Sequence, residues 1–522
     1  MKTPSLYLVI LSGLLLYIAW PASYLMPLVF IAWIPLLMVA DRTMTAARFF
    51  GWTFLTTLIW NTGTTWWMWN STDVGTIAAI MFNSMLMTFP WWGYYHLKKK
   101  GKYIGYISLI CFWMCFEYIH HNWQLSWPWL SLGNVFAMYP DIIQWYEFTG
   151  VQGGTLWVLI ANIFLYETII SYQQKNLFRK NLAITTKILI IPVLISLFVK
   201  PSVKEEEDIK YNLVIVQPNV DPYGKFNAGS TSEQINSLLE LTEQTIDSNT
   251  ALVIWPETAM SAAEWQDNVL YNNEYQPVFE FSKKHPSINL VSGIETYKNY
   301  GYEKQTATAR TTSSGSYYDA FNASVLINNG LPIAFYNKSK LVPGVESLPT
   351  FLNFMAPVFE QFGGTTGGYG RSESATAFTT PQNSYHNAPI ICYESVYGEY
   401  VGEYVKQGAN ILTIMTNDGW WGNTAGHRQH LHYAKLRAIE TRKWVARSAN
   451  TGISAVIDPM GEIKTSEPWD HKTAIKYAVP TISGETFYVR WGDYLYKIAS
   501  VISVLLIIWK FIDRVRKKQS NA

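Results

Sequence analysis

Charged residues are scarce in this sequence. Asp, Glu, Lys and Arg together make up 15% of its 522 residues, and the formal net charge is +2. So small a net charge gives no electrostatic basis for binding nucleic acid, and we expect no nucleic-acid partner. A charged fraction of 15% beside an aromatic fraction of 16% is too apolar for an ordinary soluble protein. The composition therefore favours a membrane protein.

Cysteine is also rare, with three residues in the whole chain. Cys111 and Cys115 lie one helical turn apart in an apolar stretch, where we expect them only to pack. Cys392 is the only cysteine in the polar region from about residue 200 to 490, so that region cannot form an internal disulfide. Two interpretations of Cys392 are open at this point: an inert buried thiol, or a nucleophile presented at the end of a strand.

Several common catalytic motifs are missing from the sequence. It contains no G-x-S-x-G elbow, no H-E-x-x-H and no P-loop. His427, His430 and His432 lie close together, but no carboxylate or second cysteine completes the set at the spacing of metal ligands. We therefore expect neither a metal site nor a cofactor.

Long apolar runs, in contrast, are abundant. Several approach the roughly 20 residues that a helix needs to cross a bilayer. We predict a membrane α-helical bundle of eight transmembrane helices, with seven helices in residues 1–200, an extramembrane domain in 201–490, and the eighth helix and a basic tail in 491–522. The apolar runs are residues 5–20, 25–40, 49–69, 75–97, 103–119, 154–171, 182–199 and 494–513.

Basic residues predict the orientation of this bundle. They occur in alternate connections, at 41–48, 98–102 and 173–181, and in the C-terminal tail 513–522. The intervening connections have no Lys or Arg; they are residues 21–24, 70–74 and 120–153. Because cytoplasmic loops are enriched in Lys and Arg, both termini are expected in the cytoplasm and the large domain on the opposite side.

The large domain has the pattern of an α/β fold. Short, nearly continuous apolar runs alternate with helical stretches, as in buried sheets covered by helices. The predicted helices are 232–246 and 428–444, a turn is predicted at Pro459-Met460-Gly461, and the Gly-, Ser- and Thr-rich stretch 360–387 is predicted to be a mobile loop. The predicted strands are 212–220, 251–258, 288–295, 388–395, 410–418 and 452–463.

Polar residues follow three of the apolar runs. Glu257 comes after "VIWP", Lys338 after "FYN" and Cys392 after "APII". In this order and at strand ends, they resemble the Glu-Lys-Cys triad of the nitrilase superfamily. With the membrane half, the chain resembles the apolipoprotein N-acyltransferase family. The motifs that carry this resemblance are "VQPN" (216–219), "WPET" (255–258), "YNKSKLVPGVE" (336–346), "ICYE" (391–394), "TNDGWWG" (416–422), "RAIETRKWVARSANTGISAVIDPMGE" (437–462) and "WPWLSLGN" (127–134).

The resemblance has local departures. The family usually reads H-L-V-P-F-G-E after the lysine, whereas Lys340 here takes the place of the His and Gly344-Val345 that of Phe-Gly. The spacing from Lys338 to Glu346 is preserved, so the roles of both residues are carried over.

The resemblance implies a fold and a reaction. The large domain would be a nitrilase-like αββα sandwich in the periplasm, and the protein a monomer of the bacterial inner membrane. It would move an acyl chain from the sn-1 position of a phospholipid, phosphatidylethanolamine, through a thioester on Cys392 to diacylglyceryl-cysteine on an apolipoprotein. Glu257 would be the base and Lys338 an oxyanion donor.

Other residues receive roles from the same resemblance. Glu346, Glu394 and Tyr393 would support the triad. Trp420, Trp127 and Trp129 would grip acyl chains, although the aromatic stretch 120–153 is equally compatible with a plain interfacial belt.

Two other functions fit parts of the pattern. A membrane-tethered nitrilase-like amidase would use the same triad but resolve the thioester with water, acting on a small amide. A catalytically inactive lipoprotein-binding or chaperone module would not need an intact Glu257, Lys338 and Cys392.

Reporter fusions test the orientation. Fusions at both termini and in the 98–102 loop are expected to report the cytoplasm, and a fusion in the large domain the opposite side, because the basic residues stay inside. A reporter in the 98–102 loop that is active outside the cytoplasm would contradict the predicted topology.

Overall fold

The computed structural model describes residues 4–199, 201, 205–224, 230–329, 331–348, 368–380 and 385–520. The chain divides into two compact units. One consists of Met1–Trp69, Asp73–Val199 and Trp491–Ala522, and the other of Asn70–Thr72 and Lys200–Arg490.

The first unit is helical. Short 3₁₀ turns join several of its helices, and three of them lie in the 120–153 connection, at Pro128–Leu130, Leu132–Met138 and Pro140–Ile142. Its helices are α1 (Ser5–Ala19), α2 (Ile34–Arg42), α3 (Ala46–Thr65), α4 (Asp73–Leu97), α5 (Lys102–His121), α6 (Tyr146–Thr149), α7 (Val151–Ile170), α8 (Lys175–Phe198) and a C-terminal helix, Tyr494–Ser520.

Fewer helices meet the criteria for crossing a membrane than the eight predicted. Within the described residues, five are long and apolar enough, judged by length and composition: Asp73–Lys100, Lys102–His121, Val151–Ile170, Lys175–Phe198 and Tyr494–Lys517. The other three predicted spans, 5–20, 25–40 and 49–69, do not meet these criteria of length and composition. Residues 5–20 form the apolar but 15-residue α1, and 49–69 fall mostly on α3.

The predicted span 25–40 is not one helix. A 3₁₀ turn at Met26–Phe30 precedes the nine-residue α2, and a proline stands in the first turn of each. Proline fixes its own φ and lacks an N–H, so it fits best in the first turn of a helix, although Pro90 in α4 and Pro192 in α8 lie inside long helices of this chain. Within the run 25–40, Pro35 therefore marks the start of α2.

Buried polar contacts hold the helical unit together. The Glu117 carboxylate on α5 accepts hydrogen bonds from Trp113 Nε1 (2.8 Å), Leu132 N–H (2.8 Å), Thr155 Oγ1 (2.8 Å) and Tyr496 OH (2.6 Å). A buried carboxylate is stable only when it is hydrogen-bonded in this way. One side chain thus joins α5, α7, the 120–153 connection and the C-terminal helix.

The second unit contains two β-sheets. Among the described residues, the first sheet has the order β14-β1-β2-β4-β6-β5, with β3 on β4 and β7 on β6, and the second has the order β13-β12-β11-β10-β9-β8. The strands are β1 (Glu205–Gln217), β2 (Thr250–Ile254), β3 (Met260–Trp265), β4 (Asn289–Gly301), β5 (Arg310–Thr311), β6 (Tyr317–Ile327), β7 (Ala334–Asn337), β8 (Phe378–Thr379), β9 (His386–Ile391), β10 (Ile411–Thr416), β11 (Trp444–Ala449), β12 (Ala455–Ile457), β13 (Ile463–Ser466) and β14 (Thr473–Ile482).

Helices cover these sheets. The helix α9 packs on the first sheet, and α11 and α12 pack on the second. Contacts such as Ser448 Oγ to the Val216 carbonyl (2.7 Å) join one sheet to the other. The central strands β2, β10 and β11 are buried along their whole length, as expected for parallel strands with both faces covered. The helices are α9 (Ser230–Thr245), α10 (Gln276–Lys284), α11 (Gly398–Lys406), α12 (Ala425–Thr441) and α13 (Phe487–Trp491).

The α/β prediction for this unit is confirmed, with local differences. The predicted strand 452–463 is instead part of the hairpin β12–β13, which runs from Ala455 to Ser466, and Gly461 has the positive φ (82°) of its turn. The helix predicted at 428–444 ends at Thr441, because Arg442 adopts a left-handed conformation (φ 52°) that ends α12 ahead of β11. Of the predicted loop 360–387, residues 360–367 and 381–384 lie outside the described residues.

Candidate active site

Three residues that follow strands of the second unit lie close together. Glu257 follows β2 by three residues, Lys338 directly follows β7, and Cys392 directly follows β9. All three side chains are buried. The structure thus brings together the three residues that the sequence placed at strand ends.

Lys338 is at the centre of this cluster. Its Nζ lies 3.0 Å from Glu257 Oε1 and 2.7 Å from Glu346 Oε1, and the residue is 1% exposed. Burial alone would lower the pKa of Lys338, but the two carboxylates raise it well above its ordinary value. The ammonium therefore stays charged, since a buried charge is stable when it is paired.

Asn322 connects the two carboxylates. Its Nδ2 donates to Glu257 Oε1 (2.8 Å) and Glu346 Oε1 (3.1 Å), while its backbone carbonyl accepts the Lys338 N–H (2.9 Å). Asn322 is not among the site residues predicted from the sequence. A signal was present, because an amide in the middle of "AFNASVLI" is unusual for a fully buried strand unless it has a polar partner.

Gly293 allows the Glu257 segment to take its position. The Gly293 N–H donates to the Pro256 carbonyl (3.1 Å), and Thr258 has a left-handed φ of 49°. A Cβ at position 293 would lie 2.4 Å from Thr258 N and 2.6 Å from Glu257 Cα. Only glycine permits so close an approach of backbone to backbone.

Cys392 occupies a strained turn. It is the first residue of the 3₁₀ turn Cys392–Val396, which follows β9, and its φ is 48°. A positive φ costs free energy for a residue with a Cβ. The residue is 8% exposed. Burial first, and then the charge of Glu257, raise the pKa of the thiol well above its ordinary value, although Lys338 opposes them. The resting group is a neutral thiol, and making it nucleophilic requires a base.

Glu394 fastens the lysine segment to the cysteine turn. Its Oε1 accepts from Tyr336 OH (2.5 Å) and from the Ser339 N–H (2.7 Å), and its Oε2 accepts from the Ile391 N–H (2.9 Å). This carboxylate is fully buried, and burial raises its pKa even though these donors lower it. Its contacts position backbone on both sides of the site.

The aromatic residues singled out in the sequence lie in different surroundings. Tyr393 is buried with its ring 5.3 Å from that of Tyr397, and Trp420 is half-buried on the turn Asp418–Trp421. Trp127 and Trp129 belong to the helical unit, where their rings stack at 5.6 Å. Trp129 is completely buried there, so it supports the 120–153 connection from inside.

The histidines lie apart from any metal-binding arrangement in the described part of the chain. No group of three or more His, Cys, Asp or Glu side chains there is placed to hold a metal ion. His430 instead pairs with Asp418, with Nδ1 2.9 Å from Oδ1. That carboxylate is two residues past β10 and was not visible as a partner of His430 in the sequence.

Comparison with known families identifies this architecture. The carbon-nitrogen hydrolase family model matches residues 213–483, about half of the chain. The chain belongs to the carbon-nitrogen hydrolase family. Residues 12–164 match a second model, the apolipoprotein N-acyltransferase N-terminal domain.

Curated relatives cover nearly the whole chain of this carbon-nitrogen hydrolase. An apolipoprotein N-acyltransferase of Chlorobaculum tepidum is 29% identical over 98% of this chain and 97% of that relative. One of Geobacter metallireducens is 25% identical over 93% and 91%, and one of Thermotoga maritima is 26% identical over 78% and 70%. With both family matches, these relatives group the chain with the apolipoprotein N-acyltransferases, and the protein is an acyltransferase.

The replacement Asn322→Leu tests the link between the carboxylates. It keeps the size of the side chain but removes the donor shared by Glu257 and Glu346. Hydrogen bonds to charged groups are strong enough that we expect acyltransferase activity to fall by about tenfold or more. The matched control is Asn328→Leu. Asn328 is a buried amide just past the end of β6 that donates to Asn289 Oδ1 (2.6 Å) and contacts neither carboxylate. Equal activity of the two variants would contradict the role of Asn322.

Proposed function

We propose that the protein transfers a fatty acyl chain from a phospholipid to the N-terminal amine of diacylglyceryl-cysteine on apolipoproteins, the last step of bacterial lipoprotein maturation. The donor position is the sn-1 chain of phosphatidylethanolamine. The strongest single support is the buried Lys338, paired with Glu257 and Glu346 beside Cys392. The relatives named apolipoprotein N-acyltransferase supply the acceptor class.

The first half-reaction acylates the cysteine. Glu257 takes the thiol proton of Cys392, and the thiolate attacks the ester carbonyl. Lys338 and a backbone N–H near Tyr393 stabilise the oxyanion of the tetrahedral intermediate. The intermediate collapses to a thioester on Cys392, and lysophospholipid leaves with the proton that Glu257 returns.

The second half-reaction passes the acyl group to the acceptor. The amine attacks the thioester, Glu257 accepts its proton, and the thiolate of Cys392 leaves and is reprotonated. The product is an amide, so the sequence is ping-pong. Since the donor is already an ester and a thioester reacts readily with amines, neither half-reaction calls on a cofactor.

Other residues around the triad have supporting roles in this proposal. Glu346 orients Lys338, Glu394 and Tyr393 hold the nucleophile turn, and Trp420 and Trp127 contact acyl chains. Trp129, which has no exposed surface, does not contact them but packs against Trp127. Both substrates are anchored in lipid, which suits a chain whose described helices include five that are able to span a membrane. We place the protein, as a monomer, in the bacterial inner membrane with the catalytic domain in the periplasm and both termini in the cytoplasm.

Intact mass tests the acyl-enzyme directly. Detergent-purified protein incubated with phosphatidylethanolamine is expected to gain the mass of one acyl chain, labile to hydroxylamine, whereas Cys392→Ala gains none. Cys111 and Cys115 remain in that variant and serve as internal controls. Unmodified wild-type protein beside intact phospholipid would refute the lipid donor.

Removal of the base is tested with Glu257→Gln. The amide retains the shape and a hydrogen-bond acceptor for Lys338 but cannot take the thiol proton. General-base help is worth about 10²–10⁴ in rate, so acylation is expected to slow by that factor. The control is Glu264→Gln. Glu264 accepts a hydrogen bond from Asn272 Nδ2 (3.1 Å) and lies outside the cluster. If Glu257→Gln is acylated at the wild-type rate, Glu257 is not the general base.

A further inference from the structure

A second buried polar network contacts Cys392, and the reaction described so far makes no use of it. It consists of Ser395, Thr416, Asp418, His430 and Arg447, all with no exposed surface. Thr416 and Asp418 belong to the "TNDGWWG" stretch that stood out in the sequence. Burying an ionic group this completely costs free energy unless the group is paired and hydrogen-bonded. The members of this network therefore depend on one another.

The pairing of two strands brings this network to the thiol. Strands β9 and β10 are parallel with Ile391 opposite Met415, so Cys392 and Thr416 leave the sheet side by side. The Thr416 Oγ1 lies 3.3 Å from Cys392 Sγ and 2.8 Å from Asp418 Oδ1. The Ser395 hydroxyl donates to the Cys392 carbonyl (2.7 Å) and also contacts His430 Nε2 (2.9 Å).

Asp418 has two other partners. Its Oδ1 lies 2.9 Å from His430 Nδ1, and its Oδ2 accepts from Arg447 Nη2 at 2.6 Å. Burial would raise the pKa of this carboxyl, but the neighbouring Arg447 and His430 hold it well below its ordinary value. Asp418 is therefore anionic and remains hydrogen-bonded even without Thr416.

The Thr416 hydroxyl has one proton and two acceptors. While Cys392 is a neutral thiol, the Asp418 carboxylate is much the better acceptor, because hydrogen bonds to charged groups are stronger. Once the thiol is ionised, the sulfur carries a full charge and competes for the same proton. Since Asp418 keeps His430 and Arg447, it gives up the hydroxyl at low cost.

We propose that Thr416 is a further catalytic residue, whose hydroxyl turns from Asp418 to Cys392 Sγ whenever the sulfur becomes a thiolate. This occurs as Glu257 takes the thiol proton, and again when the amine expels the thiolate from the thioester. The hydroxyl turns back to Asp418 when the sulfur is acylated or protonated. Thr416 transfers no proton; it supplies a hydrogen bond to the charged sulfur.

The charged groups around the sulfur explain why such a donor is needed. Glu257 and Asp418 both disfavour the thiolate, and Lys338 favours it. When the Thr416 hydroxyl turns to the sulfur, it places its positive hydrogen against the negative charge of the thiolate. The Thr416 hydrogen bond itself favours the ionised sulfur.

The experiment compares hydroxyl and methyl groups at one position. Thr416→Val replaces the hydroxyl by a methyl of similar size, and Thr416→Ser keeps the hydroxyl. In full-length protein in detergent, the rate of Cys392 alkylation by iodoacetamide is followed against pH by peptide-resolved mass spectrometry. We expect Thr416→Val to raise the apparent pKa of Cys392 by about one pH unit or more, and Thr416→Ser to restore the wild-type profile. Acylation by phosphatidylethanolamine is expected to fall about tenfold in Thr416→Val at neutral pH.

A matched control lies on the same strand. Thr413 is also fully buried in β10, but its hydroxyl donates to the Ala388 carbonyl (2.8 Å), so Thr413→Val is expected to keep the wild-type pH profile. If Thr416→Val does not fold, Thr416→Ala is compared with Thr416→Ser in the same way. Coincident profiles for wild type and the hydroxyl-free variant, or equal loss in Thr416→Ser, would overturn the proposal.

The inference rests on the proposed role of Cys392 as nucleophile, and the two fail separately. Wild-type protein that alkylates at Cys392 but forms no acyl-enzyme with phospholipid would refute the proposed lipid donor while the pH profiles still decide the role of Thr416.

Discussion

The buried ammonium of Lys338 is the constraint on which the rest of the site depends. A lysine that is 1% exposed is stable only with counter-charges, and Glu257 and Glu346 provide them from two other segments. Each of those carboxylates is in turn held by Asn322. The lysine, the two acids and the amide therefore form one connected unit, and removing a member takes an ion pair or a hydrogen bond from those that remain.

The two sheets contribute different halves of the chemistry. The first sheet carries the charged residues and the amide that bonds them, with Glu257 after β2, Asn322 in β6 and Lys338 after β7. The second sheet carries Cys392 and Thr416 at the ends of neighbouring parallel strands. Ends of parallel strands are where α/β proteins commonly place their sites. Glu394 joins the two halves because it binds backbone N–H groups of both.

The principal residues of the candidate site were predicted from the sequence because each stands near the end of an apolar run and their order resembles the Glu-Lys-Cys triad of the nitrilase superfamily. An ionisable side chain directly after an apolar run, as at Glu257, Lys338 and Cys392, signals a strand end without the structure. Asn322 and His430 lacked such a boundary. Their partners are 65 and 12 residues away along the chain, and only the cross-strand register and the placement of α12 bring them together. Composition predicted the membrane character of the helical unit. Hydropathy alone reads residues 25–40 as one continuous span, whereas this run forms the 3₁₀ turn Met26–Phe30 and the separate helix α2.

The strained, buried position of Cys392 also bears on how the enzyme resists chemical damage. Peroxides and most electrophiles react with the thiolate, and the resting sulfur here is kept as a neutral thiol by burial and by the charge of Glu257. A neutral thiol reacts more slowly with oxidants than a thiolate does, which favours the reduced form of this cysteine. On the proposed mechanism, a covalent inhibitor that presents an ester mimic would recruit Glu257, whereas simple thiol reagents are expected to label Cys392 slowly.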